Sequence, residues 1–176
     1  YKGKPAGRGQ YDSCVTSSGS RLCGGALIAD NIFLTAAHCH DAFSRVPALV
    51  EIGKYSASDK RKEDFEVISV EHIVPHPEYS GSPDYDKDLM IVVLKERAKT
   101  PPVCMVDVST KMTVGESMTV IGYGKTEKAV YQPDLLEADV NYITNQECYE
   151  RFEKKYLISE NMMCAWSDEG KDACKG

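Results

Sequence analysis

A histidine is the residue of this chain whose type and surroundings best suit proton chemistry. His38 lies in the run Thr-Ala-Ala-His-Cys at positions 35–39. An imidazole titrates near neutral pH, so it can take up a proton and return it within one reaction cycle. The alternative is a histidine that only fills a helical turn. The flanking residues favour the chemical interpretation.

A carboxylate that could orient this imidazole lies further along the chain. Three aspartates compete for that role, namely Asp84, Asp86 and Asp88. Asp88 alone directly precedes the apolar run at positions 89–94, so its side chain enters the core region from the start of a strand. The alternative is an acid in a solvated loop. Position alone therefore distinguishes Asp88 from the other two aspartates.

The neighbouring residues His38, Cys39 and His40 could suggest a metal site. They lack the paired spacing that is typical of zinc ligands. We therefore expect no metal and no cofactor.

Charge and hydropathy exclude two classes of partner. The chain has 176 residues and a net charge of 21 − 27 = −6. Its one basic cluster, at positions 60–62, is flanked by acids. A nucleic-acid partner requires a concentrated positive surface, and this sequence has none. No run approaches 18 apolar residues, so no membrane span is expected.

Short apolar runs bounded by turn residues dominate the chain and predict an all-β fold, either a barrel or a sandwich. Strands are predicted at 25–28, 32–35, 48–52, 65–73, 89–94, 117–121 and 135–143. One helix is predicted late in the chain. Thr144 and Glu147 form a capping box, and Cys148, Phe152 and Tyr156 recur at helical spacing.

Six motifs, in order along the chain, resemble the trypsin-like serine protease family. They are Cys-Gly-Gly-Ala-Leu-Ile at 23–28, Thr-Ala-Ala-His-Cys at 35–39, Asp-Leu-Met-Ile-Val-Val-Leu at 88–94, Val-Ile-Gly-Tyr-Gly at 120–124, Asn-Met-Met-Cys-Ala at 161–165 and Asp-Ala-Cys-Lys-Gly at 172–176. Each is weak alone. Their order and intervals make the resemblance specific, and it covers nearly the whole chain.

The resemblance implies two antiparallel six-stranded β-barrels, the second incomplete, with the active site in the crevice between them. Residues 1–98 are expected to form the N-terminal barrel and residues 112–176 part of the C-terminal barrel. Residues 99–111, which include Pro101-Pro102, are expected to link them within one peptidase domain. The family's mature N-terminus is expected before Tyr1, and the run Asp-Ser-Gly-Gly, which carries the catalytic serine, is expected after Gly176.

The resemblance also assigns roles to individual residues. His38 would be the general base, Asp88 would hold its imidazole, and the backbone N–H of Gly176 would donate in the oxyanion hole. Asp172 stands where trypsin-like enzymes carry the carboxylate that selects Arg or Lys. The alternative for Asp172 is an exposed acid in a turn, and for Gly176 a simple loop glycine.

Seven cysteines in 176 residues favour an oxidising compartment. The alternative is a set of buried free thiols. The resemblance pairs Cys23 with Cys39 and Cys148 with Cys164. The remaining three stay open: Cys14 and Cys104 could pair with each other, Cys104 could tether a pro-segment, and Cys174 would pair with a cysteine after Gly176.

The function that follows is secreted serine endopeptidase activity with cleavage after Arg or Lys. Its partners would be protein or peptide substrates and protein inhibitors of proteases, with the chain acting as a monomer. The alternative is a non-catalytic protease homologue that binds another protein. Because the resemblance places the catalytic serine after Gly176, the polypeptide of these 176 residues by itself is expected to be inactive.

Overall fold

Antiparallel strands make up most of the regular structure of this protein, in a computed structural model that describes residues 2–17, 23–43, 48–56, 58–59, 64–82, 84–123 and 133–171. The strands of the described residues are β1 (Lys4–Pro5), β2 (Cys14–Ser17), β3 (Gly24–Ala29), β4 (Ile32–Thr35), β5 (Leu49–Ile52), β6 (Glu66–Pro75), β7 (Met90–Leu94), β8 (Ser117–Gly122), β9 (Leu136–Ile143) and β10 (Cys164–Trp166). The helices are a 3-10 turn (Ala37–Cys39), α1 (His40–Phe43) and α2 (Asn145–Arg151).

Six of these strands close into a barrel in the order β2-β3-β4-β7-β6-β5. Strands β4 and β7 alternate between buried and more exposed residues, as strands do when one face lies in a core. The largest fully buried side chains all belong to this barrel: Leu27, Phe33, Val50, Ile52, Met90, Val92 and Leu94. This core fixes strands β4 and β7, whose ends lead to the site.

The second sheet is open and is built around β9. Strand β8 pairs along one edge of β9, from Ser117 opposite Asn141 to Gly122 opposite Leu136. Strands β1 and β10 pair with the other edge. Residues 4–6 therefore belong structurally with the second sheet, since Ala6 N–H also donates to the carbonyl of Leu135.

The predicted all-β fold with one complete barrel is confirmed. The linker prediction for residues 99–111 falls on a segment that is exposed almost throughout. The division into residues 1–98, 99–111 and 112–176 stays a prediction.

The late helix is present, but it is shorter than its apolar spacing indicates. Thr144 caps it by accepting a hydrogen bond from Glu147 N–H, as the capping box predicts. The helix ends at Arg151, and Glu153 follows in the left-handed region. Tyr156 consequently lies outside the helix and is 60% exposed.

Candidate active site

The backbone around His38 places its imidazole outside the barrel core. Strand β4 ends at Thr35, Ala36 is extended, and the 3-10 turn then carries residues 37–39. Ala37 and Cys39 are buried on either side of His38, whose side chain is 55% exposed. The turn therefore anchors its neighbours in the barrel and presents the imidazole to solvent.

A disulfide bond fixes this turn. Cys39 is bonded to Cys23, which directly precedes β3. The predicted pairing is confirmed, and it ties the turn that carries His38 to the start of a barrel strand. In the chain-entropy model a closed loop of this length contributes about 3 kcal/mol.

The pairing of β4 with β7 brings Asp88 to His38. Thr35, the last residue of β4, lies opposite Met90, the first residue of β7. His38 follows Thr35 by three residues, and Asp88 precedes Met90 by two. An antiparallel pair of adjacent strands therefore delivers both side chains to the same end of the barrel.

The two oxygens of Asp88 bind different groups of His38. Oδ1 accepts a hydrogen bond from the backbone N–H of His38 at 2.8 Å, and Oδ2 lies 2.6 Å from the imidazole Nδ1. Because a carboxylate accepts hydrogen bonds, Nδ1 is the donor in this contact, and in the neutral imidazole Nε2 is then the acceptor. The arrangement fixes both the position and the tautomer of the ring.

Asp88 is half-buried, with 23% of its side chain exposed. Tyr79 packs against the barrel core nearby. Burial, and then the charge of Asp88, raise the pKa of the Tyr79 phenol, so this side chain stays neutral beside the pair.

The loop before Asp88 contributes an aromatic ring and a second carboxylate. The ring of Tyr85 lies edge-on to the His38 imidazole, with 6.4 Å between centroids. Asp86 accepts hydrogen bonds from Ser159 and Asn161, which belong to the other half of the chain. In the sequence Asp86 is one of three competing acids, and no local pattern connects it with residues 73 and 75 positions away.

The other half of the chain is fixed by its own disulfide bond. Cys148 of α2 is bonded to Cys164 of β10, which confirms the predicted pairing. The guanidinium of Arg151 also lies 4.5 Å from the ring centroid of Trp166 on β10. Helix α2 is therefore joined to β10 by a covalent bond and by a cation–π contact.

Three expected residues of this region, Asp172, Cys174 and Gly176, lie outside the residues that the structure describes. Their roles stay predictions. Cys104, whose pairing was open, is exposed and not disulfide-bonded.

Ligand atoms of Cys23, His38 and Cys39 lie within 4.8 Å of one another, which is a distance compatible with a metal site. Both sulfurs are joined in a disulfide, so neither can supply the thiolate that zinc requires. This arrangement does not suit a metal ion.

Comparison with known proteins agrees with the motifs and the geometry. A model of the family described as trypsin matches residues 1–176. Mannan-binding lectin serine protease 1 of Rattus norvegicus is 34% identical over 200 residues, covering 100% of this chain and 28% of that protein. Kallikrein-8 of Homo sapiens is 34% identical over 163 residues, covering 88% of this chain and 59% of that protein.

Solved structures show the same relationship. Neuropsin, a serine protease expressed in the limbic system of mouse brain, superposes with a TM-score of 0.85 at 26% identity, covering 99% of this chain and 78% of that one. The fold is thus that of the trypsin-like proteases. The chain belongs to the trypsin family of serine proteases, which are hydrolases that act on proteins.

The chain spans 28% and 59% of the length of the two curated relatives described above. In the described part of the chain, no helix has the length and apolar character needed to cross a bilayer. The two disulfide bonds are consistent with an extracellular location.

Proposed function

We propose that this chain belongs to a secreted serine endopeptidase that cleaves after Arg or Lys by a Ser-His-Asp mechanism. The observation that carries the proposal is the contact between His38 and Asp88, in which one carboxylate binds both the ring Nδ1 and the backbone N–H of the histidine. Family membership makes proteolysis the activity to test first.

In this mechanism the Nε2 of His38 takes the proton of the serine hydroxyl as that oxygen attacks the peptide carbonyl carbon. The imidazolium that forms is stabilised by Asp88, whose Oδ2 lies 2.6 Å from Nδ1. His38 then gives the proton to the leaving amine. The serine is the one expected in an Asp-Ser-Gly-Gly run after Gly176, and its own N–H and that of Gly176 would bind the oxyanion.

A covalent probe of the nucleophile tests this reaction. We expect the full-length, activated protein to react with an arginine-like phosphonate ester at a single serine, and His38→Ala to abolish the labelling because the hydroxyl then has no base. A folded parent protein that takes up no label would contradict the proposal and would favour the non-catalytic homologue that binds another protein.

Specificity for Arg and Lys is assigned to Asp172. A carboxylate that faces a substrate guanidinium forms strong charge-assisted hydrogen bonds, and an unpaired charge in such a pocket costs several kcal/mol. Because Ala173 follows Asp172 and offers no hydroxyl to bridge to a lysine ammonium, Arg is expected to be preferred over Lys.

We expect Asp172→Ser to lower kcat/KM for an Arg amide by about a hundredfold or more, and to change that for a Phe amide far less. The measurement compares matched Arg, Lys and Phe amides on the parent and the variant. A parent that prefers Phe, or a variant that keeps the Arg preference, would make Asp172 an ordinary loop acid.

A further inference from the structure

Asp86 connects the loop that carries Asp88 to the opposite half of the molecule. Its Oδ1 accepts a hydrogen bond from the Ser159 hydroxyl at 2.5 Å and one from Asn161 Nδ2 at 3.2 Å. Its Oδ2 lies 3.3 Å from the same amide nitrogen. A carboxylate accepts stronger hydrogen bonds than a neutral group does; the bond from Ser159 is partly buried, and those from Asn161 are exposed.

The segment at 159–161 is itself held in place. The side-chain amide of Asn145, at the start of α2, donates to the carbonyl of Ser159 at 2.7 Å and to that of Met162 at 2.9 Å. The disulfide between Cys148 and Cys164 closes the same region. Asp86 is therefore bound to an anchored segment and not to a free loop.

The backbone on both sides of Asp86 adopts a conformation that needs external support. Tyr85 has a φ of 52° and Lys87 a φ of 56°, both in the left-handed region that residues other than glycine rarely adopt. Asp86 N–H donates to the Ser80 hydroxyl at 3.1 Å. Such backbone conformations persist only where surrounding contacts hold them. The carboxylate of Asp86 supplies contacts to residues that are 73 and 75 positions away in the sequence.

The first and last residues of segment 85–88 both contact His38. The ring of Tyr85 lies edge-on to the imidazole at 6.4 Å, and Asp88 binds its Nδ1. A shift of the backbone at residues 85–87 would therefore move the aromatic neighbour of His38 and its carboxylate partner together.

We propose that Asp86 is a positioning residue that fixes Tyr85 and Asp88 against His38 by holding their loop to Ser159 and Asn161. This inference rests on the proposed function, since it assigns Asp86 a part in that same site. The carboxylate of Asp86 touches no reacting atom. It acts through the segment 85–88, and it also joins the two halves of the molecule beside the catalytic pair.

The test uses the full-length protein and two measurements. The first is the NMR signal of the His38 Nδ1 proton, which a short hydrogen bond to a carboxylate moves downfield and protects from exchange, and which requires no activity. The second is kcat and KM for a short Arg amide. We expect Asp86→Ala to broaden or abolish the proton signal and to lower kcat by about tenfold to a hundredfold, with KM changed by less than about threefold.

Three further variants make the test specific. Asp86→Asn keeps an oxygen for the Ser159 hydroxyl and should restore both readouts. The double variant Ser159→Ala/Asn161→Ala removes the partners from the other side and should reproduce Asp86→Ala, which gives an answer even if Asp86→Ala does not fold. Asp107→Ala is the matched control, because Asp107 also accepts a 2.5 Å hydroxyl bond, from Ser109 within its own loop. It should leave both readouts unchanged.

Asp88→Asn separates the two possible failures. If it abolishes the proton signal while Asp86→Ala and the double variant leave signal and kcat as in the parent protein, Asp86 has no positioning role and the proposed function stands. If Asp88→Asn leaves the signal unchanged, His38 and Asp88 are not a functional pair, and the proposed function fails together with this inference.

Discussion

At the scale of single residues, the site depends on alternation between buried and exposed neighbours. Ala37 and Cys39 are buried, so His38 between them faces outward at the end of the barrel. The carboxylate of Asp88 then fixes the ring and the backbone of the same residue. The imidazole is therefore positioned by two buried neighbours and by one carboxylate.

The close packing around Gly25 leads to a prediction about stability. A Cβ at this position of β3 would lie 2.1 Å from the carbonyl oxygen of Leu34 and 2.4 Å from a ring carbon of Phe33, both in the barrel. Because Phe33 is fully buried and Leu34 contributes backbone, neither can move aside without disturbing the core. We expect Gly25→Ala to lower the free energy of unfolding by about 3 kcal/mol, measured by denaturant titration of the full-length protein.

The matched control is Gly122→Ala on β8, where a Cβ would meet no atom within 4 Å. This change should alter stability by less than about 1 kcal/mol. Equal effects of the two substitutions would contradict the close packing of β3 against β4.

At the scale of elements, the sequence predicts best those strands that carry their own pattern. β4 spans Ile32–Thr35 as predicted, and β7, β8 and β9 begin or end within one residue of their predicted bounds. The sequence does not predict β1, β2 and β10, which have two to four residues each. These short strands form because β9 or β3 offers an edge to pair with, and no local pattern reports that.

The residues of the site also differ in how far the sequence predicts them. His38 and Asp88 could be predicted because each lies in a motif that resembles the family, and Asp88 also directly precedes a predicted strand. Asp86 was not, because its partners Ser159 and Asn161 are 73 and 75 residues away and meet it only in the folded chain. Long-range hydrogen bonds between loops leave no periodic signal in a sequence.

Glu66 on strand β6 leads to a prediction about how the stability of the protein depends on pH. Burial by itself raises the pKa of Glu66, but hydrogen bonds from Lys99 N–H and from the N–H and hydroxyl of Thr100 outweigh it and hold the pKa below its usual value of 4.5. A lowered pKa in the folded state means that the ionised form is stabilising. This contribution is complete above pH 4.5 and is lost as the pH falls through the lowered value.

We expect Glu66→Gln to destabilise the protein by about 1 kcal/mol at pH 7, and the difference from the parent protein to shrink once the parent carboxyl becomes protonated. Chemical denaturation at a series of pH values measures it, with Glu71→Gln on the exposed face of the same strand as the control. If the difference in free energy of unfolding between the parent protein and Glu66→Gln stays constant down to acid pH, the charge of Glu66 does not stabilise its contacts with Lys99 and Thr100.

At the scale of the whole molecule, side chains join the closed barrel to the open sheet at separate places. Tyr11, in the segment that leads into β2, donates to Glu137 of β9 at 2.7 Å, and within the open sheet Lys4 of β1 forms an ion pair with the same carboxylate at 3.2 Å. Asp86 makes the corresponding connection beside His38. His38 and Asp88 thus lie on one half of the molecule, next to a contact that joins it to the other half.

The most direct test of this account measures kcat/KM for an Arg amide with the full-length, activated protein and with His38→Ala, Asp88→Asn and the double variant. If His38 and Asp88 act as one unit, each single substitution should lower kcat/KM by about 10⁴-fold. The double variant should be no worse than the more severe single variant by more than about tenfold. An Asp88→Asn protein that retains activity within tenfold of the parent, or losses that multiply in the double variant, would contradict the claim that this pair carries the chemistry.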